Sequence, residues 1–198
     1  MDYETNKILG RDQIRKISCF LRKMFNVGTI AFPVLKVLDK LESRFPENLY
    51  YFVEEDNRFE PGVMSVLETN DFEHFCIRIR MSVYDAALKG NGASLGFICH
   101  EMCHFALIFL FDIKPKIYKG TSGLAFATQI GVKPQKPYLS MEWQAKALCG
   151  EIMIPYERCK NYTIKQIIRR TNSSYEQAKF FLEKVVKEDK ERINIDRE

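Results

Sequence analysis

The residues with the clearest chemical potential are His100-Glu101-Met102-Cys103-His104, a His-Glu-x-x-His pattern inside an apolar stretch. On a helix, residues four apart share a face, so both imidazoles can bind one metal ion. Glu101 flanks that face, where a carboxylate can take a proton from a metal-bound water and pass it to a leaving amine. A plain apolar core does not readily bury two imidazoles and a carboxylate, because each needs a polar partner. A catalytic zinc takes three protein ligands and keeps one position open, so a third ligand must come from elsewhere. His74, the one other histidine, lies between Glu73 and Phe75 on an alternating stretch and reads as a surface residue. Glu142, in the first turn of a helix ending at Pro155, is the better candidate, although a helix amino terminus favours a carboxylate in any case. Glu151 lies on the same helix about two and a half turns later. Spacing leaves the choice open. A His/His/carboxylate set suits Zn2+ and also accepts Mn2+ or Fe2+.

An oxyanion donor is the other group such a site needs. Tyr138, before the Glu142 helix, and Tyr156, after it, are candidates, and both also suit simple packing. Cys99 and Cys103 lie on the motif helix about a hundred degrees from the histidines and read as small buried residues. Cys103 could also lie close enough to the metal to make activity sensitive to oxidation, the less favoured reading beside simple packing.

The elements that must position these residues follow from periodicity. Apolar residues at helical spacing predict helices over 8–25 and 33–44, the second opening at Pro33. LYYFVEED, VMSVLE and FEHFCIRIR read as strands of a sheet at about 49–80, the last two joined across Thr69-Asn70-Asp71. In the third, Phe75, Ile77 and Ile79 alternate with Cys76, Arg78 and Arg80, which gives one apolar face. A short helix from Val83 to Leu88 ends at Gly90-Asn91-Gly92. The metal helix runs over 94–110 with Ser94 as its cap. A Lys-rich loop covers 112–138, and the ligand helix runs over 140–154, capped by Ser140 and stopped by Pro155. Beyond Pro155, Thr163 opens a short helix and Thr171-Asn172-Ser173 turns the chain. Ser173 with Glu176 gives a capping-box pattern for a helix to about Lys187, and the charged last ten residues read as frayed. Lys165, Arg169 and Arg170 on this helix–turn–helix could touch DNA phosphates or a partner protein, while its apolar residues suit packing onto the domain.

At 198 residues, with 46% hydrophobic and 28% charged residues, the chain suits one ordinary core-bearing domain, or one with a small appendage, and excludes a mainly disordered chain. A net charge of +4 permits nucleic-acid contact without arguing for it. Six cysteines without a Cys-x-x-Cys pair, and a polar start lacking an apolar signal core, point to a cytoplasmic protein with reduced thiols. Residues 94–111 are apolar enough to suggest a membrane span, but two histidines and a glutamate in their middle favour a buried helix.

The chain resembles the ImmA/IrrE family of zinc-dependent endopeptidases. LGFICHEMCHFAL (95–107) is similar to the family's apolar stretch around His-Glu-x-x-His. EWQAKALCGEIMIP (142–155) is similar to its Glu-x-x-Ala-Asn-x-Phe-Ala pattern with a Leu-Leu-Met-Pro-like end, with Glu142, Ala145, Met153 and Pro155 in place. The helix–turn–helix after that proline and the order of the amino-terminal elements also agree. Lys146 stands where the family usually has Asn, and Leu148 and Cys149 where it has Phe and Ala. The resemblance implies an α+β, zincin-like metallopeptidase domain over 1–155 with a small mixed or antiparallel sheet, followed by a helix–turn–helix-like segment over 156–198. It also implies Glu142 as third ligand, Glu101 as the catalytic carboxylate and Zn2+ as cofactor. The implied activity is cleavage of a specific protein, a helix–turn–helix repressor of a mobile element or toxin–antitoxin-like pair. The alternative is a non-proteolytic metal-binding regulator acting through DNA or a partner by its C-terminal helices.

Overall fold

The computed structural model describes residues 3–116, 124–127 and 137–195. It is an α+β protein in which helices pack on a small mixed sheet. Two amino-terminal helices, α1 (Arg11–Met24) and α2 (Val34–Arg44), precede β1 (Leu49–Glu54), β2 (Ser65–Thr69) and β3 (Phe75–Arg80). Then come α3 (Met81–Leu88) and α4 (Gly92–Phe105), which carries the His-Glu-x-x-His motif. A short β4 (Leu124–Ala127) leads to α5 (Met141–Met153), α6 (Tyr156–Cys159), α7 (Ile164–Thr171), α8 (Tyr175–Phe180) and α9 (Lys187–Ile195).

The sheet order is β1-β3-β2-β4, with β1 parallel to β3 and β2 antiparallel to both β3 and β4. Ile77 and Ile79 of β3 point into the core and are fully buried. Arg78 projects from the other face and pairs with Glu54 of β1 at 2.7 Å and Glu68 of β2 at 2.8 Å. Alternation therefore sets the sheet's inner face, and a cross-strand ion pair occupies its outer one. Against the inner face lie Ile98, Phe105 and Leu107, all buried, with the Phe75 and Phe105 rings edge to face at 5.2 Å. Among the described residues, Gly92–Leu110 is the one helical run long and apolar enough to cross a membrane, and 78% of its most apolar window is buried inside the protein. Its apolarity serves the core.

Several boundaries differ from expectation for local reasons. The cap of α4 is Asn91, whose side chain accepts from the Ser94 amide at 3.0 Å, so the predicted cap Ser94 lies inside the first turn. After Phe105 the helix widens into a π turn over Ala106–Leu110. The predicted 112–138 loop contains β4, which pairs along β2, while residues 117–123 and 128–136 lie outside the described residues. In the tail, the capping box is Ser174 with Gln177, one residue later than predicted. Asn172 takes a left-handed conformation (φ 56°) and ends α7, and the Ser173 hydroxyl bonds Thr171 instead. The carboxyl-terminal residues expected to fray are helical as far as Ile195.

The tail joins the same core. Ile167, Ala178, Phe181, Val185 and Val186 are buried with the residues of α4 and α5. An ion network adds to this apolar contact. Arg15 of α1 lies over the Tyr156 ring at 3.8 Å, 3.6 Å from Glu151 of α5 and 2.6 Å from Asp189 of α9.

Candidate metal centre

The capped start of α4 and the heptad-like packing of Ile98, Met102 and Phe105 fix the rotation of this helix. One consequence is that His100 and His104, one turn apart, face α5 while Glu101 faces the sheet. Ser140 caps α5 by accepting from the Trp143 amide at 2.9 Å, which places Glu142 in the first turn. The amino-terminal segment braces that turn. Thr5 is fully buried, its amide bonds the Leu139 carbonyl at 2.7 Å, and the buried Gln144 side-chain nitrogen lies 2.8–2.9 Å from Thr5 Oγ1 and from the Lys7 and Tyr138 carbonyls. The polar start of the sequence gave no hint of this role.

His100, His104 and Glu142 converge. Their ligand-capable atoms all lie within 4.8 Å of one another. The two Nε2 atoms are 3.0 Å apart, His100 Nε2 is 3.2 Å from Glu142 Oε2, and His104 Nε2 is 3.2 Å from Glu142 Oε1. All three side chains are buried. A tetrahedral zinc with ordinary bond lengths separates its ligand atoms by about 3.4 Å, so a few tenths of an ångström of movement admits an ion. The donor chemistry and the geometry both fit a divalent metal, and they do not by themselves select which one.

The three side chains set one another's charge. Burial disfavours a charge on Glu142, but its hydrogen bonds to both histidines overcome this and hold the carboxyl well below its usual range. Burial likewise opposes a charge on His100, yet the bond to Glu142 and the nearby Glu101 carboxylate raise its pKa. His104 is pushed down by burial and by charge on His100. Within the group a proton is thus favoured on His100 over His104.

Glu101 is fully buried against β2. Its Oε1 is 3.2 Å from the Ser65 hydroxyl and its Oε2 accepts from the Leu67 amide at 3.0 Å. Two donors fix the carboxylate's orientation. Lys146, one turn beyond Glu142 on α5, brings its ammonium 3.9 Å from Glu142 Oε2 and is half-exposed. Sequence reasoning noted Lys146 only as a departure from a pattern. Its i, i+4 relation to Glu142 was the available signal.

The other candidate residues have contacts of their own. Tyr138 is exposed and packs edge-on against Trp143 at 4.8 Å. Tyr156 lies past the far end of α5 from Glu142, buried under Arg15 and against Phe181. The structure does not bring Tyr156 to the histidine cluster. Glu151 accepts from the Tyr156 amide at 2.8 Å and faces Arg15, so it belongs to the ion network. His74 is exposed and bonds Asp71 at 2.6 Å. Cys99 and Cys103 are buried as expected, and they share a buried thiol cluster with Cys149, which also reaches the Gly96 carbonyl at 3.5 Å. Lys165, Arg169 and Arg170 are exposed on α7, with Arg170 over the Tyr162 ring at 5.2 Å. Compared with known proteins, the chain matches no family model and no curated protein.

Proposed function

We propose that the chain is a metal-dependent endopeptidase whose ion is held by His100, His104 and Glu142. One observation carries the reading: two histidines of a His-Glu-x-x-His helix and a carboxylate from a second helix converge in a buried cluster, with Glu101 oriented by its own donors on the adjacent strand. A zinc ion bound there supplies a Lewis acid for the scissile carbonyl and a water of lowered pKa. Glu101 accepts the water's proton on a carboxylate oxygen and returns it to the leaving amine. Ser65 and the Leu67 amide keep that carboxylate from rotating away. Lys146, whose ammonium lies 3.9 Å from Glu142 Oε2, would serve as donor to the carbonyl oxygen as it gains charge. The fold reading that goes with this is zincin-like, over 1–155, with 156–198 as a helix–turn–helix-like segment.

The substrate class rests on the sequence resemblance to ImmA/IrrE endopeptidases: a helix–turn–helix repressor, met in the cytoplasm. β2, the strand that holds Glu101, is paired on one edge by β3 and on the other by β4. A substrate strand therefore has no unpaired β2 edge to join, and it must either displace β4 or lie elsewhere. A second reading, a metal-binding regulator that does not cleave, draws on the exposure of Lys165, Arg169 and Arg170 along α7. The test is intact-mass analysis of a repressor encoded beside this chain after incubation with the zinc-loaded protein. Wild type is expected to give two defined fragments. Glu101→Gln is expected to bind one zinc and cleave about 10²–10⁴-fold more slowly. Equal cleavage by both proteins would remove Glu101 from the mechanism. Loss of function on Arg169→Glu with Arg170→Glu, but not on Glu101→Gln, would favour the regulator.

A further inference from the structure

A cavity of about 670 Å3 opens beside the metal centre. Its main walls are Ala93, Gly96, Phe97 and His100 of α4, residues of α5 from Lys146 to Met153, and the tail around Phe180, Phe181 and Val185, with Arg11 of α1 also at its edge. His100 belongs both to the ligand set and to this wall. The volume lies in the range of sites that hold drug-sized ligands, about 300–1,000 Å3, and exceeds the small void beneath α4 many times over.

The cavity's shape follows from sequence. Where α4 and α5 border it they carry small residues, Ala93, Gly96, Ala147 and Gly150, and larger apolar side chains close it at Phe97, Met153 and Phe181. A Cβ on Gly150 would meet nothing within 4 Å, so the space beside α5 there is open. The tail supplies the third wall because it is seated tightly on α4. A Cβ on Gly92 would come within 2.5 Å of the Ser173 carbonyl carbon, and one on Gly96 within 2.2 Å of the Gln177 amide nitrogen. Lys146, Arg11, Glu151 and Glu176 are the charged residues of an otherwise mainly apolar lining.

From this we infer that the cavity between α4, α5 and α8 is the substrate-specificity pocket and takes large apolar side chains of the peptide next to the scissile bond. The inference rests on the endopeptidase reading. A carbonyl placed at the ligand set has the cavity on its His100 side, and whatever the neighbouring residues project there meets Phe97, Met153, Ile154, Phe181 and Val185. Apolar side chains gain by leaving water there, while charged ones exchange their hydration for mainly apolar contact. Lys146 at the mouth meets the peptide's carbonyl groups rather than its side chains. The C-terminal segment thereby becomes part of the substrate site, as its third wall.

The test measures binding and cleavage separately. Binding of the dansyl-labelled hexapeptide Ala-Ala-Phe-Leu-Ala-Ala is followed by fluorescence anisotropy on zinc-loaded Glu101→Gln full-length protein, against the Ser-Ser counterpart. The Phe-Leu peptide is expected to bind at least tenfold more tightly. Gly150→Phe, which fills the cavity, is expected to abolish that preference while leaving zinc stoichiometry unchanged, and Gly150→Ala is expected to retain it. Both substitutions replace glycine in a helix with a better helix former and so should fold. Equal binding of the two peptides, or a preference untouched by Gly150→Phe, would overturn the pocket assignment. Wild-type cleavage of both peptides at equal rates would overturn it too, while sparing the endopeptidase reading. Selective binding without any cleavage by wild type would keep the pocket and sink the peptidase. Tight binding of dodecanoate that displaces the Phe-Leu peptide more strongly than any peptide tested would instead assign the cavity to a fatty acyl chain.

Discussion

The centre depends on a few atoms, and single substitutions separate their roles. Lys146→Met keeps most of the aliphatic stem and removes the ammonium 3.9 Å from Glu142. If Lys146 stabilises the developing oxyanion, kcat falls about 10²–10³-fold with little change in KM, the pattern of a donor used in the transition state. An equal rise in KM alone would make it a ground-state binding group. His74 offers a control far from this chemistry. Its bond to Asp71 raises its pKa above 6.5, and the same bond holds the Asp71 carboxyl down. The sign follows: a raised histidine pKa favours the folded state below pH 6.5 and that contribution fades as pH rises through the folded value. An NMR titration should place the His74 midpoint above 6.5, and Asp71→Asn should return it to about 6.5. At this scale the sequence was legible where chemistry is encoded in spacing. The i, i+4 histidines needed only a helix, whereas spacing left Glu142 as one candidate among several for the third ligand. Ser65 and Leu67 as anchors of Glu101 were not legible, because they lie more than thirty residues away on a strand whose register over α4 only the packed sheet defines.

The elements hold these groups through their ends as much as their faces. Asn91 closes the first turn of α4, and Gly92 directly behind it allows the α7–α8 turn to sit on the helix backbone. Asn91→Ala should cost about 0.5–2 kcal/mol by loss of the cap. Gly92→Ala should cost at least about 1–3 kcal/mol, because the opposing atoms are backbone and cannot rotate away. Urea unfolding of the two variants measures both. Gly92→Ala should also loosen the tail, seen as faster amide exchange in α8, whereas Asn91→Ala should act on α4 alone. If Gly92→Ala is neutral, the tail does not pack as described. Helix positions were readable from period and capping residues, yet the caps themselves were assigned one to three residues away at Ser94 and Ser173. Asn91, Ser94, Ser173 and Ser174 are all acceptable caps, and sequence alone cannot say which backbone amide each one faces.

For the whole molecule, the ligand set joins α4 to α5, so an ion bound there crosslinks the two helices that also border the cavity. Zinc should stabilise the fold by about 2.7 kcal/mol at a free concentration one hundred times its dissociation constant. Chelation should lower the melting temperature correspondingly, and His100→Ala or Glu142→Ala should abolish the difference. Although burial opposes it, Glu142 and Glu101 favour a proton on His100, and a bound ion would have to displace that proton. Affinity and the zinc-dependent stabilisation should therefore both be smaller at pH 6 than at pH 8, with protons released on binding. Calorimetry in two buffers of different ionisation enthalpy measures that release. A pH-independent affinity would mean the histidines are neutral without the ion.

By itself the sequence determined what depends on nearest neighbours along the chain. That includes the apolar period of α4, the pair of histidines one turn apart, the alternation of β3, and the stop at Pro155. The tertiary structure decided what depends on distance in space. It selected Glu142 over Glu151 and His74, sent Tyr156 to an ion network with Arg15 and Asp189, and used Thr5 to brace the ligand helix. It also folded the segment after Pro155 against α4 and left a cavity between them. The division has a physical reason. Helical and strand periods are fixed by local backbone geometry, whereas ligand convergence and cavity shape arise from side chains brought together by burying one shared core.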